Sequence, residues 1–172
     1  MIEHADKLNN QAIILASDGS FNEAIACFKR AITIDKGNYL LWYNLGVTYR
    51  DAGELESACD ALAMAYKIAP LNADVIETYA TLNLALKRYD EVRIICEEGL
   101  DLNPLNAHLW NLIGVANFQN EAFSDAAECF EQAVYINPYY EDALYNLRDT
   151  YDVLKNKNGK IQCENQIRGL GK

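Results

Sequence analysis

The chain is short of residues that break helices and of residues that do chemistry. Proline occurs only three times in 172 residues and histidine only twice. No stretch rich in proline, glycine or serine interrupts it, so no linker is marked. Its five cysteines, at 27, 59, 96, 129 and 163, form no CxxC pair, and His4 and His108 stand apart. No metal-binding spacing results, and neither a metal nor another cofactor is expected. Small buried thiols in a reducing compartment are the expected state of these cysteines. Long apolar runs are missing too, which excludes a membrane-spanning helix of about 20 residues. The opening residues lack the basic region and apolar run of a secretory signal, so the expected location is cytoplasmic.

Positive charge is scarce: 15 Lys and Arg stand against 25 Asp and Glu, for a formal charge of −10. Residues 1–150 carry 10 basic and 23 acidic side chains, while residues 151–172 carry 5 basic and 2 acidic. An acidic body repels phosphate backbones, so nucleic acid is not expected as a direct partner. The basic tail (Lys155, Lys157, Lys160, Arg168 and Lys172) suits a helix C-terminus and a solvated end. Motifs for holding phosphates, for a serine nucleophile or for a zinc hydrolase are absent. His108 reads as a contact residue, and Glu97–Glu98 and Glu54/Glu56 as solvated faces. The chain is not expected to be an enzyme.

What is present is a period. The only tryptophans, Trp42 and Trp110, are separated by twice the step that the rest of the chain keeps. Positions 8, 42, 76, 110 and 144 read Leu, Trp, Ile, Trp and Leu. Four residues on stand Ala12, Gly46, Ala80 and Gly114, and the pattern breaks at Arg148. A second small slot reads Ala31, Ala65, Gly99 and Ala133, and the units close at Lys36, Pro70, Pro104 and Pro138. A fixed step of about 34 residues marks a stack of helix–turn–helix units. Apolar residues recurring at three and four give each helix one buried stripe. Gly46 and Gly114 allow close approach within a unit, whereas Tyr49 and Trp42 fill the space between helices. Proline ends a helix because it has no amide donor and disfavours helix in the residue before it. Gly19 and Gly53 mark the turn inside the first two units.

The unit from Tyr39 to Asn72, with Trp42, Leu45, Gly46, Tyr49, Gly53, Ala58, Leu62, Ala65 and Pro70, resembles the tetratricopeptide repeat. The resemblance runs from about Ala5 to Leu170 without an insertion. It implies an all-α, right-handed solenoid of stacked antiparallel helix pairs, one domain over 1–172. Its repeats are expected at 5–38, 39–72, 73–106 and 107–140, with a decayed capping repeat at 141–170. The third unit departs most: Asn83 stands where Tyr49 stood, Val92 replaces a small residue and Cys96 an aromatic or Leu, and Asn117 repeats the Tyr-to-Asn change. Either the repeat tolerates this core variation or the middle of the stack is locally looser. In the last unit Lys160 and Glu164 take core slots. A thin stripe of Ile161, Cys163, Ile167 and Leu170 is expected to face inward, as in a terminal cap with a polar outer face. The chain is expected to end there by design.

The resemblance also implies that first helices line a concave groove. Positions expected to contact a partner are Asn10, Tyr43, Asn44, Val47, Arg50, Glu77, Thr78, His108, Asn111, Phe118, Tyr145 and Asn146. Asn10, Asn44 and Asn146 share one phase, and their amides could bond an extended peptide backbone as both donors and acceptors; the alternative is that asparagine serves helix geometry there. Tyr43, Phe118 and Tyr145 offer aromatic anchors. Some family members clamp a peptide C-terminal carboxylate with a Lys/Asn/Asn/Lys/Arg set. Here the matching positions read Asn9, Ile13, Asn44, Asp74 and Thr78, so that clamp is disfavoured. The expected function is a non-catalytic adaptor binding a peptide or helix of a protein partner, neutral to basic in charge. The alternatives are a self-assembling scaffold, and so a homo-oligomer, or an interaction module serving a separately encoded enzyme.

Overall fold

The computed structural model describes residues 4–170. Every regular element among them is an α-helix, so the fold is all-α. First helices are α1 (Ala5–Ser17), α3 (Tyr39–Asp51), α5 (Ala73–Ala85), α7 (Ala107–Gln119) and α9 (Glu141–Val153). Second helices are α2 (Phe21–Ile34), α4 (Leu55–Ile68), α6 (Tyr89–Leu102), α8 (Phe123–Ile136) and α10 (Lys157–Leu170). Both series advance by the period read from the sequence.

The chain forms two compact units, Met1–Leu82 and Asn83–Lys172. In the first, α1 packs on α2, α2 on α3 and α3 on α4. In the second, α6 packs on α7, α7 on α8, α8 on α9 and α9 on α10.

Each pair reverses through one residue in the left-handed region. These are Gly19 (φ 78°), Gly53 (φ 82°), Lys87 (φ 59°), Glu121 (φ 61°) and Lys155 (φ 57°), one per repeat at a constant step. Gly53 donates its N–H to the Arg50 carbonyl and Glu54 to that of Tyr49, both at 2.9 Å. Glu121 and Ala122 repeat this with Phe118 (3.0 Å) and Asn117 (2.9 Å). Two otherwise unpaired carbonyls are thereby satisfied at each helix end. Only the first two turns carry glycine. The other three hold a side chain there at a cost of roughly 1–2 kcal/mol each, so the sequence marks just two of the five.

Between the first four pairs, an asparagine caps the next first helix. Asn38 accepts from the Leu40 N–H at 3.1 Å, Asn72 from Val75 at 3.1 Å and Asn106 from His108 at 3.0 Å. These caps keep the same period, a signal present in the sequence beside the more conspicuous small and aromatic positions.

The core follows the apolar stripes. Phe28, Leu62 and Phe130 are buried on second helices, and Ala31, Ala65 and Ala133 are fully enclosed. A Cβ placed on Gly46 would lie 2.7 Å from Leu62 Cγ, and one on Gly114 only 2.5 Å from Phe130 Cε1. Close approach at these glycines is therefore real. Asn83, Val92 and Cys96, the departures of the third repeat, are all buried.

The capping helix departs from the expected inward stripe. Cys163 is buried and Ile167 and Leu170 are half-buried, but Ile161 is 53% exposed. Two residues from Cys163 is about 200° around a helix, so Ile161 points away from α9. Gly159 takes the inward place instead: a Cβ there would lie 2.6 Å from the Tyr151 ring. Gln166 adds an amide bond to the Pro138 carbonyl at 3.0 Å, and Lys160 pairs with Asp152 at 2.7 Å.

Candidate partner-binding site

On α1 and α3, Asn10 and Arg50 are exposed, while Tyr43, Asn44 and Val47 are half-buried. On α5, Glu77 and Thr78 are half-buried. On α7, His108 and Phe118 are half-buried and Asn111 is buried; on α9, Tyr145 is exposed and Asn146 half-buried.

Several of these side chains bond to one another at a step one position longer than the repeat. Asn44 Nδ2 donates to Asn9 Oδ1 at 3.0 Å, and Asn146 Nδ2 to Asn111 Oδ1 at 3.0 Å. The Tyr43 hydroxyl meets Thr78 Oγ1 at 3.2 Å. A residue on one first helix thus reaches its neighbour slightly out of phase, joining adjacent pairs. Asn111 Nδ2 also donates to the Tyr140 hydroxyl (3.4 Å), which lies 3.0 Å from His108 Nδ1. When that hydroxyl donates onward, Nδ1 accepts and the imidazole proton sits on Nε2. The asparagines are therefore partly engaged in holding first helices together, and their remaining polar edges have fixed orientation.

Beside these bonds lies a cleft in each unit. The first, 190 Å³, is lined by Ile13, Ser17, Phe28, Asn44, Val47 and Asp51. The second, 140 Å³, is lined by Val115, Phe118, Gln119, Phe130, Asn146 and Asp149. The second lies three repeats along from the first, position for position at 13/115, 17/119, 28/130, 44/146 and 47/149. Each has an aromatic floor, an aliphatic wall and a bonded asparagine. Both carboxylates have an arginine beside them, Arg50–Asp51 at 2.8 Å and Arg148–Asp149 at 2.6 Å. The Arg148 guanidinium also lies 5.0 Å from the Tyr145 ring centroid.

Family models for the tetratricopeptide repeat match residues 39–70 and 94–141, and one described as TPR repeat matches residues 14–53. The chain belongs to the tetratricopeptide repeat family. It is 26% identical over 136 residues to the BBSome complex member BBS4 of Bos taurus, covering 75% of this chain and 25% of that protein. The STIP1 homolog of Dictyostelium discoideum is 28% identical over 128 residues, covering 73% of this chain and 22% of its own length. The chain thus spans about a quarter of these curated relatives. Among solved structures, MamA residues 41-end from Desulfovibrio magneticus RS-1 superposes with a TM-score of 0.88 at 18% identity, over 97% of this chain and 94% of that one. YrrB, described as a TPR protein with an unusual peptide-binding site, superposes with a TM-score of 0.79 at 19% identity over 95% and 84%. Fold and family are those of protein-interaction modules, and no described helix is long and apolar enough to cross a membrane.

The tetratricopeptide tryptophans occupy a second face. Tyr49 is buried, as a core filler should be, but Trp42 and Trp110 are only half-buried. Each indole N–H donates to a carbonyl six residues back, Trp42 to Lys36 at 3.0 Å and Trp110 to Pro104 at 2.9 Å. Each ring then walls a cleft between successive second helices, 370 Å³ at Trp42 and 660 Å³ at Trp110. In the sequence the tryptophans read as packing residues, and these clefts went unmarked. The recurrence of tryptophan two repeats apart was the available signal. Cys129 lines the larger cleft, and burial pushes its thiol up to about 11 despite the Asn117 amide 3.7 Å away. It therefore stays protonated and unreactive at neutral pH.

Proposed function

We propose that this chain is a non-catalytic adaptor whose first-helix face seats a peptide segment or helix of a partner protein. The observation that carries the reading is the recurrence of one cleft, three repeats apart, with the same floor, wall and oriented amide. An apolar anchor of the partner would enter the cleft beside Ile13 in the first unit or that beside Val115 in the second. Amides held in place by their own bonds, Asn44 and Asn146, would meet its backbone. Tyr145, with Arg148 against its ring, supplies an exposed rim. Because each cleft's carboxylate is already paired, the anchors are aliphatic or aromatic. The acidic body as a whole favours a partner that is neutral to basic. The relatives fit this reading in kind: BBS4 is named as a member of a complex and YrrB as having a peptide-binding site. Buried thiols are compatible with a reducing cytoplasm.

The test is capture from native lysate by wild type and by an Ile13→Asp/Val115→Asp variant of matched helicity. Proteins retained by wild type and lost by the variant support the reading. Equal recovery by both baits overturns it. Recovery of the bait alone, with sedimentation showing oligomers, would replace the adaptor with a self-assembling scaffold. Raising salt from low to physiological levels should weaken a basic partner and leave a neutral one unchanged.

A further inference from the structure

The two tryptophan clefts share a frame and differ in what fills it. Position by position, two repeats apart, Trp42 corresponds to Trp110, Leu45 to Ile113 and Ile32 to Leu100. In the smaller cleft Tyr49 fills the floor, and Lys29 lies with Nζ 5.5 Å from its ring centroid. That cleft therefore supplies its own cation, held against an aromatic face. In the larger cleft both halves of that contact are gone: Asn117 stands for Tyr49 and Glu97 for Lys29. Asp125 replaces Ser57 and Asp101 replaces Thr33, so the rim carries three carboxylates against the single guanidinium of Arg93. Beside Asn117 the floor is apolar, formed by Leu100, Ile113 and Cys129, and the Trp110 ring forms one wall.

We infer that the cleft between α6 and α8 receives a lysine or arginine side chain from a basic segment of a protein partner. The aliphatic stem would lie on Leu100 and Ile113 along the indole, with the charged head among Glu97, Asp101 and Asp125. Long cationic side chains divide in this way between apolar surface and charged rim. The opening, 660 Å³, falls within the range of ligand-binding clefts and admits the side chain with its flanking backbone. In the first cleft a lysine of the same molecule takes the corresponding position, against Tyr49. This site is on the second-helix face and stands independently of the first-helix reading.

The two tryptophans report the two clefts separately, since each gives one indole N–H resonance. The probe is an acetylated, amidated heptapeptide of sequence GAKLKAG, titrated to millimolar concentration at low salt. Saturable movement of the Trp110 indole, with Trp42 unmoved, is expected. A peptide with norleucine for both lysines should produce no movement. Asn117→Tyr closes the floor and should weaken the Trp110 response at least tenfold while the Trp42 peak stays in place. Glu97→Lys, which supplies the cation from α6 itself, should do the same without adding bulk to the floor. Equal movement of both indoles, an equal response to the norleucine peptide, no response at all, or full response in Glu97→Lys would each overturn the assignment.

Discussion

The Trp42 and Trp110 clefts are built alike up to the point where function would enter. Both indoles are tied to the inter-repeat turn six residues back, and both lie between successive second helices. One floor is closed by Tyr49 with Lys29 at its ring. The other is left open by Asn117 and rimmed by acid. The positions that set the frame hold their character through the first four units, with small residues at 31, 65, 99 and 133 and asparagine caps at 38, 72 and 106. Among the positions that vary are those facing the cleft. A repeat thus separates the residues that stack it from the residues that can recognise something.

The largest effect should come from forcing one cleft to resemble the other. Tyr49→Asn removes a buried aromatic and should cost about 3 kcal/mol in urea unfolding, with a red shift of Trp42 emission. Asn117→Tyr fills a void that is already open and should be neutral or stabilising by under about 1 kcal/mol. Equal losses would mean that the two floors are equivalent.

The close approaches should also differ. Gly114→Val drives a side chain into the Phe130 ring and should destabilise by about 2–3 kcal/mol. Gly46→Val should cost less, because Leu62 can change rotamer more readily than a buried ring can move. Thermal melts of the two variants decide the order.

The asparagine bonds offer a smaller contrast. Asn146→Ala leaves the buried Asn111 carbonyl without that donor and should cost about 1–2 kcal/mol. Asn44→Ala strands only the half-buried Asn9, for about 0.5–1 kcal/mol. A double-mutant cycle on each pair measures the coupling directly.

Alkaline pH should separate the Cys129 site from the rest of the fold. Its thiol pKa is raised by burial from 9.0 to about 11, so between these values the unfolded chain loses the proton first. Stability is fully present below pH 9 and should fall by about 1–2 kcal/mol as pH rises to 11. Cys129→Ala should lose less over that window in pH-dependent urea unfolding. Tyr151, pushed up by burial and by its bond to Glu131, and Cys163, pushed up by burial, add further loss at alkaline pH.

Smallest is the turn comparison. Glu121→Gly should stabilise by about 0.5–1 kcal/mol by relieving the left-handed side chain, while Gly53→Ala should cost about 1 kcal/mol. Chemical denaturation of the two variants reads both signs.

The helix pairs were legible because periodic recurrence, proline at unit ends and glycine at close approaches are each local signals. The left-handed turns at Lys87, Glu121 and Lys155 were not, since paired hydrogen bonds impose that conformation on residues that do not prefer it. The asparagine caps at 38, 72 and 106 were visible as a period and outweighed by larger residues. On the first-helix face, the phase of Asn10, Asn44 and Asn146 pointed to a ladder, yet the bonds formed run from Asn9 to Asn44 and from Asn111 to Asn146. A step one position longer than the repeat depends on how adjacent helices tilt, which no single repeat encodes. Ile161 shows the same limit in one helix: apolar character alone did not fix its direction once Gly159 took the inward place.

The most direct measurement is the reciprocal exchange, Lys29→Glu/Thr33→Asp/Tyr49→Asn/Ser57→Asp, followed by the lysine-peptide titration on the two indole resonances. In a variant that still melts cooperatively, the Trp42 peak should begin to move saturably with the lysine peptide and ignore the norleucine one. A Trp42 peak that stays silent in that folded variant would contradict the claim that the internal lysine and tyrosine, with the rim carboxylates, are what distinguish the two clefts.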